Sequence, residues 1–326
     1  MKSEILAALN NADDYVSGQQ LCTELAVSRT AVWKVINQLK AEGYEIESVS
    51  RKGYRILARP DKITAEEVRS RLNTKWAGNQ IYFYESIDST NNEARRLAEN
   101  GALEGTLILA EEQNKGKGRR GRSWMTKPGS AIAMSMVLRP DIEPACASML
   151  TLVAGLAIAG ACRNFCGVEA KIKWPNDIVA DGKKICGILT EMSSEIDCIN
   201  YLVVGAGINT YVNNFPQELS DRAVSLHELM GEKPDRAGLI AECMKLFEQY
   251  YERFLETQDM SSLLEEYNEL LAGVGAAVRV LEPGGEYDGI SEGINERGEL
   301  LVRRDDGTVA EVYAGEVSVR GIYGYV

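Results

Sequence analysis

Residues 116–122 read Gly-Lys-Gly-Arg-Arg-Gly-Arg, and their three glycines have the GxGxxG spacing of a dinucleotide-binding turn. That turn belongs to a Rossmann fold only where a helix starts at the third glycine and an acidic residue follows about 20 residues later. Here the third glycine is followed by Arg-Ser-Trp-Met-Thr-Lys-Pro-Gly and then by the apolar, strand-like segment 131–139. The stretch therefore argues against a Rossmann fold and predicts a loop that leads into a β-strand.

The same loop carries four cations and three glycines within seven residues. Glycine lets the backbone approach a ligand closely, and arginine offers a fork of N–H donors that suits carboxylates and phosphates. We expect the loop to bind an anion. A solvated basic turn without a ligand is the alternative.

At the N-terminus, two short helices over 4–14 and 18–26 are predicted, and a third covers 28–42. Val32, Val35, Ile36 and Leu39 form the apolar stripe of this third helix. An alternating strand, a basic turn and a returning strand follow, which completes a winged helix-turn-helix pattern. A small packing or protein-docking module is the alternative. The residues expected to face DNA are Ser28, Arg29, Thr30, Trp33, Lys34, Arg51 and Lys52.

Charge separates this N-terminal segment from the rest of the chain. The net charge is −12, yet residues 1–60 hold 8 Lys and Arg against 7 Asp and Glu, a balance of +1 that leaves −13 elsewhere. Only the first segment can approach nucleic acid without strong repulsion.

Cysteine and histidine usage argues against a metal site and against a disulfide framework. The seven cysteines are scattered without a CxxC pair, and His227 is the single histidine. We therefore assign no metal ligands and expect reduced thiols. We see no apolar run of about 18 residues and no signal-peptide pattern, so we expect a cytoplasmic protein without a membrane partner.

The sequence predicts an α+β multidomain chain. Residues 1–60 form the winged helix-turn-helix domain, and a capping-box pattern at Thr64 opens a second domain after a linker. Residues 64–273 mix strands and helices, which indicates an α+β domain on a mixed or mainly antiparallel sheet. Residues 274–326 hold five short strands with glycine turns, typical of a small β-barrel.

Six motifs together resemble one family. They are Gly116–Arg122, Ser89-Thr90-Asn91, Lys173-Trp-Pro-Asn-Asp177, Lys184–Glu191, Gly205-Ala-Gly-Ile-Asn209 and Gly315–Arg320. With the N-terminal helix-turn-helix, the chain resembles the biotin–protein ligases, in the bifunctional form that also represses the biotin operon. The resemblance implies a class II synthetase-like central domain and an SH3-like C-terminal barrel.

The resemblance also implies the chemistry. Biotin and ATP, with Mg²⁺, would give biotinyl-5′-AMP, and biotin would pass to a lysine of the biotin carboxyl carrier protein of acetyl-CoA carboxylase. Operator DNA and a ligand-promoted homodimer are the other expected partners. The alternatives are a ligase for lipoate or another acid, a sensor that has lost catalysis, and a ligase whose N-terminal domain does not regulate.

The resemblance also implies which residues form the site, by their positions within the shared motifs. Lys184 and Arg119 are the expected catalytic residues. Biotin contacts are expected from Ser89, Thr90, Asn91, Gln113, Lys117, Gly118, Arg119, Lys184 and Gly187, and nucleotide contacts from Arg122, Trp124, Lys173, Asn176, Asn209 and Arg320. Lys117 departs from the family pattern, which has arginine there, so its side-chain contact is less secure.

Four of these residues also allow a structural interpretation. Ser89-Thr90 could be only a helix cap, Asn176 could be structural, and Asn209 could be a turn residue at a strand end. Asp177 is a hypothetical helper that orients or deprotonates the acceptor lysine in the transfer step.

Overall fold

The computed structural model describes residues 1–124, 126–212, 215–282, 285–313 and 318–321, with only the backbone described for Glu282 and 318–321. The N-terminal elements are α1 Lys2–Asn10, α2 Gly18–Glu24, α3 Arg29–Ala41, β1 Glu45–Val49 and β2 Gly53–Ala58. Strands β1 and β2 pair antiparallel. The predicted three helices and hairpin are confirmed, although α1 ends at Asn10 rather than at residue 14.

Helix α3 begins where its sequence predicts. The Ser28 hydroxyl accepts a hydrogen bond of 3.2 Å from the backbone N–H of Ala31, which satisfies one of the free donors at a helix start. The apolar stripe of α3 is buried, whereas Trp33 on the opposite face is 59% exposed. All seven residues expected to face DNA are exposed.

The central region is built on one seven-stranded sheet with the order β3-β4-β5-β9-β8-β7-β6. Only β3 and β4 run parallel, so the sheet is mixed, as predicted. Its strands are β3 Ile81–Ile87, β4 Leu107–Gln113, β5 Ala131–Leu138, β6 Lys171–Lys173, β7 Asp177–Ala180, β8 Lys183–Ser194 and β9 Ile199–Asn209. Its helices are α4 Ala65–Arg69, α5 Thr90–Glu99, α6 Met149–Cys166, α7 Leu226–Met230, α8 Arg236–Thr257 and α9 Leu264–Leu270. The sequence analysis missed β6, β7 and β8, which are short or carry many polar residues.

Helices cover both faces of this sheet. Helices α6 and α8 pack together on one face over the largest apolar core. Helix α5 covers part of the other face, over a smaller cluster that includes Ala94 and Val137. The expectation of no apolar run of about 18 residues is wrong, because the helix Pro144–Cys166 contains an 18-residue window with a mean hydropathy of 2.0 and is long and apolar enough to cross a membrane. Of the residues in this window, 72% are buried inside the structure, as expected of a core helix.

Five short strands form the C-terminal sheet, in the order β13-β12-β11-β10-β14. They are β10 Ala277–Glu282, β11 Gly285–Ile294, β12 Leu300–Arg303, β13 Val309–Val312 and β14 Ser318–Gly321. This agrees with the predicted number of strands. The Trp174 indole N–H donates to the carbonyl of Gly298 at 3.0 Å, which ties a turn of this sheet to the central region.

Buried polar contacts join the N-terminal segment to the central region. The Tyr44 hydroxyl donates to the carboxylate of Glu67 in α4, which is 1% exposed. Burial and the bond to Glu67 raise the pKa of Tyr44. Glu67 also pairs with Arg71 at 2.5 Å, and Arg71 pairs with Asp235 at the start of α8. Through α4, these contacts fix the N-terminal segment against the central region.

Arg236 forms a second junction from a position that is 2% exposed. Its guanidinium contacts Asp61 of the linker at 2.7 Å and both carboxylate oxygens of Glu111 in β4, at 2.9 and 3.0 Å. Glu111 also accepts from the backbone N–H of Gly129 at 3.0 Å. A buried charge must be paired to be tolerated, so linker, sheet and loop positions depend on one another.

Candidate active site

A cleft opens on the α5 face of the central sheet and encloses about 450 Å³, open solvent included. It lies where the N-terminus of α5, the glycine-arginine loop and strands β8 and β9 converge. Its lining is Ser89, Thr90, Asn91, Gln113, Lys117, Gly118, Arg119, Trp124, Asn176, Lys184, Gly187, Ile188, Leu189, Gly205, Ala206 and Gly207. Most residues predicted for the site are therefore neighbours in space.

One corner of the cleft is uncharged and densely hydrogen-bonded. Gln113 accepts through Oε1 from the backbone N–H of Thr90 at 2.8 Å and lies 3.0 Å from the Thr90 hydroxyl. Asn91 donates through Nδ2 to Glu191 at 2.8 Å. Ser135 of β5 lies between Thr90 and Asn91 and is fully buried. We call this group the polar corner, defined as Thr90, Asn91, Gln113 and Ser135.

The floor of the cleft is made of glycines on β8 and β9. A Cβ atom on Gly205 would lie 1.9 Å from Asn91 Oδ1, and one on Gly207 would lie 2.2 Å from Trp124 Nε1. A Cβ atom on Gly187 would lie 2.9 Å from Lys184 Nζ. We call these three residues the glycine floor. Any larger residue at the first two positions would displace a side chain of the site.

Opposite the polar corner lie two cations. Lys184 pairs with Asp177 at 2.6 Å, and its Nζ lies 5.5 Å from the centre of the Trp124 ring. The Arg119 guanidinium donates to Asn176 Oδ1 at 2.8 Å. Burial, together with the nearby positive charge of Arg120, lowers the pKa of Arg119. These residues form an electropositive wall that favours an anionic ligand.

The glycine-arginine loop is folded tightly on itself. The N–H of Gly118 donates to the carbonyl of Arg122 at 2.7 Å, and the N–H of Trp124 donates to Gly116 at 2.8 Å. Arg120 has a φ of 56°, in the left-handed region that costs a non-glycine residue energy. Lys117 donates to Asn92 Oδ1 at 3.1 Å. The loop thus presents Arg119 to the cleft while Arg120 and Arg122 stay exposed.

Several predicted nucleotide residues lie outside the cleft lining. Arg122 is exposed and Lys173 ends β6. Asn209, 8% exposed at the end of β9, donates to the carbonyl of Lys184 at 3.4 Å, beside the cleft. The side chain of Arg320 and residues 315–317 of its motif lie outside the described residues.

The structure gives the contacts of two residues for which a structural interpretation was also open. Ser89 occupies the N-cap position of α5, yet its side chain makes no capping hydrogen bond. Asn176 donates to the carbonyl of Ile188 at 3.0 Å while its oxygen receives Arg119, so it supports the turn and lines the cleft at once.

Sequence reasoning missed some residues of the site. Ser135 is the one polar residue of the apolar strand Ala131–Leu138, a signal that could have found it. Glu191 ends a quoted motif but received no role. Gly205 and Gly207 were noted as a motif, and their spacing of two already places them on one face of a strand.

The described residues contain no group of three or more His, Cys, Asp or Glu that could hold a metal ion. Asp177, the carboxylate next to the cationic wall, is paired with Lys184.

A family model described as the biotin/lipoate A/B protein ligase family matches residues 83–209, which include the whole cleft lining. A model of a helix-turn-helix domain matches residues 2–55, and a model of the biotin protein ligase C-terminal domain matches residues 274–320. The class of protein defined by the fold and the cleft is thus a carboxylate-activating protein ligase.

Full-length relatives narrow this class. The chain is 37% identical over 322 residues to the bifunctional ligase/repressor BirA of Bacillus subtilis strain 168, covering 98% of each chain. It is 30% identical over 318 residues to BirA of Escherichia coli K12, covering 97% of this chain and 96% of that one. The chain belongs to the biotin protein ligase family, among the bifunctional ligase/repressors.

A solved structure agrees with this assignment. The biotin protein ligase from Aquifex aeolicus in complex with biotin and ATP matches with a TM-score of 0.66 and 29% identity. The match covers 74% of this chain and 99% of that chain.

Replacing Gly207 by alanine tests the packing of Trp124 on the glycine floor. Gly207→Ala should push the Trp124 indole off β9 and lower the free energy of unfolding by about 1–3 kcal/mol, the usual cost of overpacking. Gly155→Ala is the matched control, because its Cβ would meet nothing closer than 3.7 Å and alanine favours its helix. Urea denaturation gives the stability change. The spectrum of Trp124, obtained by difference from Trp124→Phe, should shift to the red in Gly207→Ala; an unchanged spectrum would contradict the packing described.

Proposed function

We propose that this chain is a biotin–protein ligase that also represses transcription in response to biotin. In the first reaction, a carboxylate oxygen of biotin attacks the α-phosphorus of ATP, giving biotinyl-5′-AMP and pyrophosphate. In the second, a lysine amine of the biotin carboxyl carrier protein attacks the acyl carbon, giving the amide, AMP and a proton. One observation carries the proposal: a cationic wall faces an uncharged polar corner across a glycine floor, which suits a ligand with one neutral and one anionic end.

Biotin has these two ends. Its bicyclic ring is neutral and rich in hydrogen-bonding groups, and we assign it to Ser89, Thr90, Asn91 and Gln113. The valeryl chain would run over Gly187 of the glycine floor. Its carboxylate and the α-phosphate would meet Lys117, Gly118, Arg119 and Lys184. A long apolar chain suits the absence of side chains on the floor, where it can lie against backbone.

The first reaction brings a carboxylate against a triphosphate, so anion meets anion. Fixed cations must offset this repulsion and stabilise the charge that builds on the transferring phosphoryl group. Lys184 and Arg119 fill this role in the proposal. Asp177 at 2.6 Å and Asn176 at 2.8 Å hold them in place before the substrates arrive. Positioning and charge carry the reaction without a covalent enzyme intermediate.

The nucleotide would extend along the loop side of the cleft. The indole N–H of Trp124 is buried without a hydrogen-bond partner among the described residues, so an acceptor atom of a ligand would satisfy it. The other nucleotide contacts in the proposal are Lys173, Asn176, Asn209, Arg122 and Arg320. Mg²⁺ enters the proposal as a counter-ion that accompanies the phosphates of ATP and shields their charge.

A biotin ligase must discriminate against other carboxylic acids. Purified protein with ATP should release radiolabelled biotinyl-AMP from biotin and should label a carrier domain. Lipoate offered at the same concentration should give less than about a tenth of this rate, since a corner that binds polar ring atoms rejects a ring without them. Equal labelling by lipoate would favour the lipoate ligase alternative, and adenylate formation without transfer would favour the sensor.

Asp177→Asn tests the role of the carboxylate. Loss of the anion frees Lys184 from its fixed geometry, so adenylate formation should slow by about 10²-fold, the effect of a misplaced catalytic group. Pyrophosphate release measures this reaction, and transfer from preformed biotinyl-AMP to a carrier domain measures the second. If only the first slows, Asp177 orients Lys184; if transfer from preformed adenylate also slows, Asp177 acts on the acceptor amine as well. Normal rates in both would remove Asp177 from the mechanism.

The repressor function rests on the N-terminal segment. Helix α3 exposes Trp33 and Lys34, the wing tip exposes Arg51, and the segment carries a balance of +1 in an otherwise acidic chain. Repression would use two copies on two half-sites, hence a homodimer. Biotinyl-AMP would promote this dimer and therefore act as co-repressor when the carrier protein is scarce. A cytoplasmic location agrees with both partners. The alternative is a ligase with a non-regulatory N-terminal domain.

Lys34→Ala tests the repressor function. In a dimer it removes two phosphate contacts, so binding to the operator should weaken and the slope of log affinity against log salt should fall by about two. Fluorescence anisotropy at several salt concentrations, with biotinyl-AMP present, measures both quantities. Lys75→Ala is the control, an exposed lysine of the central region. Binding that is equally unaffected by both changes would favour the ligase-only alternative.

A further inference from the structure

One cation of the glycine-arginine loop is tied to helix α5 outside the polar corner. Lys117 is exposed, lines the cleft and donates through Nζ to Oδ1 of Asn92 at 3.1 Å. Asn92 directly follows Asn91 in the first turn of α5, but it is not among the described residues that line the cleft. A residue outside the cleft therefore holds a cation that faces into it.

The Asn92 amide is itself held by Asp88. Asn92 donates through Nδ2 to the Asp88 carboxylate at 2.8 Å, and Asp88 also accepts from Arg96 at 2.7 Å. Partial burial opposes ionisation, yet the hydrogen bonds from Arg96 and Asn92 lower the pKa of Asp88 to about 2. The ionised Asp88 can only accept and Lys117 can only donate, so both neighbours select the same orientation of the amide.

The backbone anchors the start of the loop at the same place. The N–H of Lys115 donates to the carbonyl of Asp88 at 2.8 Å, and the N–H of Asn114 donates to that of Ile87 at 2.9 Å. These bonds fix the main chain where it leaves β4. The long, flexible side chain of Lys117 needs a restraint of its own, because a side chain that is ordered before binding loses less entropy when a ligand arrives.

The partner of Lys117 is neutral, so the charge of the ammonium is preserved. An ammonium has three N–H donors, and one bond to an amide oxygen leaves donors for an anion. Lys184 differs, because the carboxylate of Asp177 at 2.6 Å balances its charge. Arg119 also donates to an amide oxygen, that of Asn176 at 2.8 Å. Two loop cations are thus held by asparagines, one on α5 and the other in the turn before β7.

We propose that Asn92, supported by Asp88, is a positioning residue that holds Lys117 in place for the anionic end of the ligand and leaves its charge intact. The inference rests on the proposed function, which brings the carboxylate of biotin and the α-phosphate to Lys117. Asn92 touches no substrate and acts only through the lysine. A lysine lacks the forked donors by which an arginine aligns itself on an anion, so a second residue that restrains it improves the contact.

A charged and a neutral ligand separate this role from a general loss of structure. The neutral ligand is the primary alcohol of biotin, in which CH₂OH replaces the carboxylate. Lys117→Ala should raise the Kd for biotin and for biotinyl-AMP by about tenfold, the loss of one charge-assisted hydrogen bond. Asn92→Ala keeps the cation but not its position, so the increase should be about three- to tenfold. In both variants the Kd for the alcohol should stay within about twofold of the wild-type value. Isothermal titration calorimetry measures each Kd.

The double variant shows whether Asn92 acts through Lys117. Asn92→Ala combined with Lys117→Ala should bind biotin within about twofold of Lys117→Ala alone, because residues that act as one unit do not add. Asn114→Ala is the matched control. Asn114 lies at the start of the same loop and is exposed, but its amide donates to the Ser86 hydroxyl at 2.9 Å. Its loss should leave every Kd unchanged.

The outcomes distinguish failure of the inference from failure of the proposed function. The inference alone is overturned if Lys117→Ala weakens biotin binding and Asn92→Ala does not, if Asn92→Ala weakens the alcohol equally, or if the two changes add in full. If Lys117→Ala leaves the Kd for both biotin and biotinyl-AMP unchanged, the assignment of Lys117 falls together with the inference. Wild-type protein that forms no biotinyl-AMP would overturn the proposed function itself. Thermal unfolding of each variant confirms the native fold, and alanine at position 92 favours the helix.

Discussion

The close approach of side chains to the backbone of β9 is the constraint on which the site depends. Asn91 packs against Gly205 and Trp124 packs against Gly207, at distances that leave no room for a Cβ atom. These two contacts fix the start of α5 and the end of the glycine-arginine loop on the same strand. A floor without side chains is what allows an uncharged corner and a cationic wall to face each other across one narrow cleft.

The end of the cleft is positively charged, although the chain as a whole is negatively charged. The protein carries a net charge of −12, yet Lys184 and Arg119 meet at the end of the cleft, beside the exposed cations of the loop. Asp177 balances the charge of Lys184 and the neutral Asn176 orients Arg119, so the net positive field comes from Arg119 and the loop cations. An acidic surface around a local cationic site favours anions at that site alone, which suits a reaction between a carboxylate and a triphosphate.

Arg236 connects this site to the rest of the molecule. It joins linker residue Asp61 to Glu111 of β4, and Glu111 in turn holds the backbone at Gly129, where the chain returns from the loop. Tyr44 and Glu67 add a second buried contact between the N-terminal segment and the central region. Leaving a buried charge unpaired has a large free-energy cost. These contacts therefore fix the position of the helix-turn-helix segment beside the ligase region.

The sequence by itself determined the order of the three regions and predicted most of the residues that line the cleft, because those signals are local. The stripe on α3, the cap at Ser28 and the flanks of the GxGxxG segment are each contained within about 20 residues, as periodicity and capping signals are. Strands β6 to β8 escaped prediction because their pairing depends on partners rather than on their own composition. Only the tertiary structure decided that Ser135 and Glu191 both form hydrogen bonds with Asn91. Those three residues lie on different elements, and hydrogen-bond direction depends on which donors and acceptors the fold brings together.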